Sequence, residues 1–121
     1  MQVKAGVAVQ MLLSLQKLGN TSYPAREAFL IAKVQSILRS NPDVVATDAA
    51  RVSAMKLHGS EQGEQVTFSK DGLAKFLADY EPIADQDLEI DLPKLPLSIL
   101  DRAPEMTPNE MNWLGPLFEE G

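Results

Sequence analysis

Proline and glycine cut this chain into short pieces, and that punctuation limits the fold more than anything else in the sequence. Gly19-Asn20, Pro24, Pro42, His58-Gly59, Pro82, Pro93, Pro96 and Gly115-Pro116 fall at intervals that leave no uninterrupted stretch much longer than one globular helix. Between the breaks, apolar residues recur with helical spacing. Ala5, Ala8, Val9, Leu12, Leu13, Leu15 and Leu18 mark an amphipathic first helix that Gly19-Asn20 stops. With Lys4 before it, this run faintly resembles a signal peptide, but Gln10 interrupts it and no small-x-small cleavage site follows. It is also too short to span a bilayer.

Pro24 opens a second helix at the position where a missing N–H costs nothing. Ala28, Ile31, Ala32, Gln35 and Leu38 line one face, and Phe29, Val34 and Ile37 widen it, which predicts a well-buried element. At Ser40-Asn41-Pro42-Asp43 there are two readings. Either Asn41 caps a third helix with Pro42 in its first turn, or one long helix kinks at Pro42. The segment after it runs through Val45, Ala49, Val52 and Leu57. Residues 60–64 read as a polar loop, 65–68 as a short strand, and 70–80 as a helix with Leu73, Phe76, Leu77 and Tyr80 on one face and Pro82 ending it. Gln2-Val3-Lys4 is a strand or a frayed start.

Leu88-Glu89-Ile90-Asp91-Leu92 alternates strictly, the pattern of a half-buried strand, with residues 66–68 as a pairing partner. Residues 98–102 fit one helical turn. Thr107-Pro108-Asn109-Glu110 is a capping box with proline at the first helical position, and Gly115-Pro116 should bend or end the helix behind it. The expected architecture is α+β and mainly helical: N-terminal helices packed against a small C-terminal β-sheet and a closing helix. The 121 residues are expected to form one domain, helical over 1–58 and mixed and acidic over 59–121.

Charge is divided unevenly between these parts. Residues 1–58 hold seven Lys/Arg against three Asp/Glu, and residues 59–121 hold four against fourteen, for a net −6. Such a chain either presents one basic and one acidic surface or pairs its halves in the fold. The acids Asp79, Glu81, Asp85, Asp87, Glu89 and Asp91 follow one another with no cation between Lys75 and Lys94. They lack the glycine and closing glutamate of a calcium loop. The basic residues Lys17, Arg26, Lys33, Arg39, Arg51 and Lys56 have few aromatic neighbours, and the overall acidity argues against direct nucleic-acid binding.

The inventory for catalysis is thin. There is no cysteine and no glycine-rich phosphate loop, and His58 is the single histidine, at an expected helix end. The chain is therefore expected not to be an enzyme and to hold no cofactor or metal. Its function is expected to be binding. The candidate partner-binding residues are the acids Asp85, Asp87, Glu89 and Asp91, and an apolar patch of Trp113, Leu114 and Phe118 on the last helix, tryptophan being common at interface hot spots.

Residues 12–37 (LLSLQKLGNTSYPAREAFLIAKVQSI) resemble the opening helix pair of a family of small phage proteins of unknown function. Leu15-Gln16-Lys17-Leu18 and Pro24-Ala25 match that family's phrases. Residues 88–97 (LEIDLPKLPL) look like its acidic strand, and residues 106–120 like its closing helix, so the resemblance covers most of the chain. Residues 40–64 depart from it, where the family has a Glu-rich helix. Members are often encoded near tail genes. The resemblance implies a virion or assembly role, a phage structural protein as partner or self-association into a homo-oligomer, and residence in the host bacterial cytoplasm during infection or in the virion. The acidic run also fits a second role, a host-directed inhibitor such as an anti-CRISPR or other anti-defence protein that occupies a basic channel of a host defence complex. No membrane partner is expected.

Overall fold

The computed structural model describes residues 1–62 and 65–119, without the side chains of residues 61 and 62. In chain order it contains β1 (Gln2–Lys4), α1 (Ala5–Leu18), α2 (Ala25–Ser40), α3 (Pro42–His58), β2 (Ser60–Gln62), β3 (Gln65–Thr67), α4 (Lys70–Ala84), β4 (Asp87–Glu89), a 3₁₀ turn at Leu97–Asp101, α5 (Pro108–Leu114) and a second 3₁₀ turn at Gly115–Leu117. The class is α+β and mainly helical. No described helix is long and apolar enough to cross a membrane.

α1 is the hub. It packs against α2, α3, α4, α5 and β1. Of its fourteen residues only Gln16 is exposed. A helix with so little exposed surface is a core element, and the expected amphipathic first helix is buried on more sides than its spacing alone required. Met11, Leu15 and Leu18 form its fully buried centre. Its last carbonyls find side-chain donors from the next segment: Tyr23 Oη donates to the Leu18 carbonyl at 2.7 Å and Gln35 Nε2 to the Leu15 carbonyl at 3.0 Å.

The chain breaks between α2 and α3, so 24–58 form two helices. The Asn41 side chain accepts from Asp43 N (2.9 Å) and Val44 N (3.1 Å), and Pro42 fills the first turn. This arrangement stabilises a helix start by about 1 kcal/mol. α2 is less buried than its composition predicts. Ile31, Val34 and Leu38 face the core, while Ala28, Ala32 and Phe29 are exposed. α3 is rotated from its apolar spacing: Val44, Thr47 and Ala54 are buried, whereas Val45, Ala49 and Leu57 face out. The reason is local polar satisfaction. Thr47 Oγ1 donates to the Asp43 carbonyl (2.7 Å), Arg51 pairs with Asp48 (3.0 Å) and His58 meets Asp79, so polar residues can occupy the inward side.

α4 packs against α3 through Gly72, Phe76 and Tyr80, with Phe68, Phe76 and Tyr80 in a row of ring contacts at 5.1 and 5.5 Å. A β-carbon on Gly72 would lie 2.5 Å from the His58 carbonyl oxygen, so only glycine lets this first turn sit on the end of α3. The expected face containing Leu73 and Leu77 is instead largely exposed. Pro82 does not end α4, which runs on to Ala84. Pro82 and Ala78 both lie on the solvent side, where water can serve the Ala78 carbonyl that proline leaves without a donor.

The strands pair differently from the expectation. β4 is antiparallel to β1, with Val3 opposite Leu88, and β3 pairs with β2. Ser60–Gln62 is thus strand and not loop; Gly63 and Glu64 lie outside the described residues. Neighbouring segments close a short hairpin at little entropic cost. That leaves β4 to meet β1, where Val3 and Leu88 are each 8% exposed and seal one edge of the core. Leu95 then bridges to Phe118, with Leu95 N donating to the Leu117 carbonyl at 2.7 Å and Glu119 N to the Leu95 carbonyl at 2.9 Å. One buried cluster results, running from Val3 to Phe118 and drawing on both ends of the chain.

Candidate functional site

The charge imbalance between the two parts of the chain is offset in small part inside the molecule. Lys4 pairs with Asp87 (3.0 Å), the Met1 ammonium with Glu89 (3.2 Å) and Lys17 with Glu110 (2.9 Å). His58, when protonated, adds a fourth pair with Asp79 (2.5 Å). All four join residues 1–58 to the acidic part, and the fifth described pair, Arg51 with Asp48, stays within α3. Each exposed pair is worth only about 0–1 kcal/mol. Their effect is to mute the acidic edge more than to hold the fold.

The candidate acids occupy that edge. Asp85 caps the C-terminus of α4 and its carbonyl accepts from Lys4 Nζ at 3.1 Å. Asp87 and Glu89 point outward on β4 while Leu88 points in, as alternation requires. Asp91 follows, beside a cleft of about 270 Å³ that it shares with Lys33 and Ile37 of α2. All four are exposed, but Asp87 and Glu89 already have cationic partners. The stripe is accordingly a weaker phosphate mimic than its sequence suggests.

The apolar patch expected on the last helix is not there. Leu114 is fully buried and Phe118 is 6% exposed; both belong to the core, held by the Leu95 bridge and α1. Trp113 is half-buried, and it lines a largely apolar cleft of about 280 Å³ with Gly6 and Val7 of α1 and Tyr80 and Ala84 of α4. The Tyr80 hydroxyl is shielded and has no hydrogen-bond partner among the described residues. Burial raises its pKa, with Arg51 nearby opposing and Asp48 reinforcing the shift.

α5 starts as expected. Glu110 N donates to Thr107 Oγ1 (3.2 Å) and Thr107 N to Glu110 Oε1 (2.9 Å), the reciprocal pair of a capping box. The Thr107 backbone N–H, followed by Lys17, holds the Glu110 carboxyl below the usual carboxylate range. His58 ends α3 and, among the described residues, one carboxylate, Asp79, reaches it. No group of three or more His, Asp or Glu converges as metal ligands among the described residues.

Two surfaces that sequence reasoning missed stand out instead. The outer arc of α2 has Phe29 near its start (67% exposed), with Ala25 and Ala32 beside it, Arg26 and Lys33 flanking it, and Arg39 at the far end of the helix. None of these three cations has an ion-pair partner among the described residues. The outer arc of α4 carries Leu77 (38% exposed), Ala74 and Ala78, with Lys70, Asp71 and Lys75 toward its start and Glu81 and Asp85 toward its end. The clue to α2 was present in the spacing. Arg26 and Lys33 lie three before and four after Phe29, which places all three on one face.

Comparison of the chain with protein-family models, curated proteins and solved structures finds no match.

Proposed function

We propose that this chain is a non-enzymatic phage protein that acts by binding other proteins, as part of the virion or of tail assembly. The observation that supports this best is the pair of outer helix faces on α2 and α4. Scattered apolar residues are normal on any surface. Here Phe29 at 67% exposure and Leu73 and Leu77 at 45% and 38% instead lie on outer helical faces bordered by charge, basic on α2 and mixed on α4. Such faces suit contact with another macromolecule. The phage assignment rests on the resemblance of residues 12–37 and 88–97. The experiment is a pulldown of the tagged chain from phage-infected cells followed by mass spectrometry. Coat or tail proteins are the expected partners, and a catch free of phage structural proteins would refute the assembly role.

A second reading, a host-directed inhibitor, is favoured by the exposure of Asp85, Asp87, Glu89 and Asp91 on one edge. It predicts recovery of a host nuclease complex in the same pulldown, and loss of that binding in the D85N/D87N/E89Q/D91N variant. Unchanged binding by that variant would end it.

A further inference from the structure

We infer that the open edge of β4 takes up an extended basic segment of a partner protein as an added antiparallel strand. The inference rests on the protein-binding reading and deepens it by naming the surface and the chemistry that fits it. The ladder with β1 shows which way each backbone group of β4 points. Ile90 N donates to the Met1 carbonyl (2.9 Å), the Met1 ammonium donates to the Ile90 carbonyl (2.9 Å), and Ala5 N donates to the Gln86 carbonyl (2.8 Å). With Val3 opposite Leu88, the hydrogen-bonded positions are therefore Gln86, Leu88 and Ile90. The N–H and C=O groups of Asp87 and Glu89 alternate with these and point away from β1. None of these backbone groups has a partner among the described residues. The sheet has two strands, and among the described residues β1 is the one element packed closely against β4. Such an edge is a template for another extended chain.

Charge selects what can lie there. The Asp87 and Glu89 side chains are exposed, and each spends one oxygen on its own molecule: Asp87 Oδ1 meets Lys4 and Glu89 Oε1 meets the Met1 ammonium. The second oxygen of each carboxylate is unpaired among the described residues. In an antiparallel addition, the residues directly opposite Asp87 and Glu89 place their side chains on the same face, about 5 Å away. Lysine or arginine at those two alternate positions continues an order of cation, acid, cation across three strands. Asp91 lies beyond this pair and shares its cleft with Lys33, so the selection rests on Asp87 and Glu89.

A second copy of this chain does not supply such a strand. Its own β4 would set acids directly against acids, which is destabilising. No described strand of the chain carries Lys or Arg at two alternate positions. The occupant is therefore a segment of another protein, extended and basic at alternate residues.

Amide hydrogen exchange of the whole chain, read by NMR, tests this with a short end-blocked peptide of alternating threonine and lysine, at about 0.1 M salt. In the free chain the Asp87 and Glu89 amides should exchange fast and those of Leu88 and Ile90 slowly. The peptide should bind with a Kd below about 1 mM and, near saturation, slow exchange at Asp87 and Glu89 about tenfold. Two further peptides separate backbone pairing from charge. N-methylation of the lysines keeps their charge but removes the donors that the Asp87 and Glu89 carbonyls need, and should weaken binding at least about tenfold. Glutamate in place of lysine should weaken it by at least about as much, by setting acid against acid. The protein itself is unaltered throughout, so folding is not at stake. The inference is overturned if the lysine peptide fails to bind up to about 1 mM, or binds without protecting Asp87 and Glu89. It is equally overturned if the N-methylated or the glutamate peptide binds as well as the lysine peptide. Either failure would leave the broader binding proposal to the pulldown, which does not depend on this edge.

Discussion

Gly72→Ala sets two physical effects against each other at one position. Gly72 lies in the first turn of α4, where helix propensity alone predicts that alanine stabilises by about 1 kcal/mol. The tertiary structure predicts the opposite. The new methyl would lie 2.5 Å from the His58 carbonyl oxygen and 3.1 Å from Ser69 Oγ. The first of these is a backbone atom at the end of α3 and cannot swing aside as a side chain tip could. Either the start of α4 lifts from α3 or the last turn of α3 gives way. Overpacking of this kind costs about 1–3 kcal/mol. Against the propensity gain, the net expectation is a loss of up to about 2 kcal/mol, or as much as about 8 °C in Tm for a chain of this size. Ser53→Ala, on the exposed side of α3, isolates propensity and should stabilise by a few tenths of a kcal/mol. Urea unfolding followed by circular dichroism gives both values. If Gly72→Ala stabilised the chain as Ser53→Ala does, the close seating of α4 on α3 would be wrong.

Leu15→Ala empties the centre of α1 at a fully buried site and should cost about 3–4 kcal/mol by urea unfolding; a loss under about 1 kcal/mol would show that α1 is not the hub. Thr107→Ala removes the α5 cap and should cost about 1 kcal/mol, with no effect expected if the cap is frayed in solution. Glu110 gives a pH signature. Its carboxyl is held below the usual range by the Thr107 N–H and Lys17, so its contribution is fully present above the ordinary carboxylate pKa and is lost as pH falls through the folded value. The gap in urea midpoint between wild type and Glu110→Gln should therefore be widest near neutral pH and narrow as the pH falls below the ordinary carboxylate range. A gap independent of pH would contradict the assignment.

Local chemistry carried its own position in the sequence. The Asn41-Pro42 start of α3, the Thr107–Glu110 box and the stop at Gly19 need only neighbours along the chain, so residue order specified them. The inward and outward sides of β4 were legible for the same reason, since alternation decides which residues share a face. Rotation of the helices was not. Thr47, Arg51 and His58 line the inward side of α3, where the backbone carbonyl of Asp43 and the carboxylates of Asp48 and Asp79 partner them, and apolar spacing carries no record of such partners.

Strand pairing lay beyond the sequence too. Val3 and Leu88 meet across more than eighty residues because packing around α1 brings both to one edge of the core. The same packing decided which charges remain to meet a partner. The uneven charge was visible from composition, but only the fold pairs Lys4, Lys17 and the N-terminus with acids. It thereby leaves Arg26 and Lys33 beside an exposed Phe29, with Arg39 free at the end of the same helix, and it sends Leu114 and Phe118 into the core.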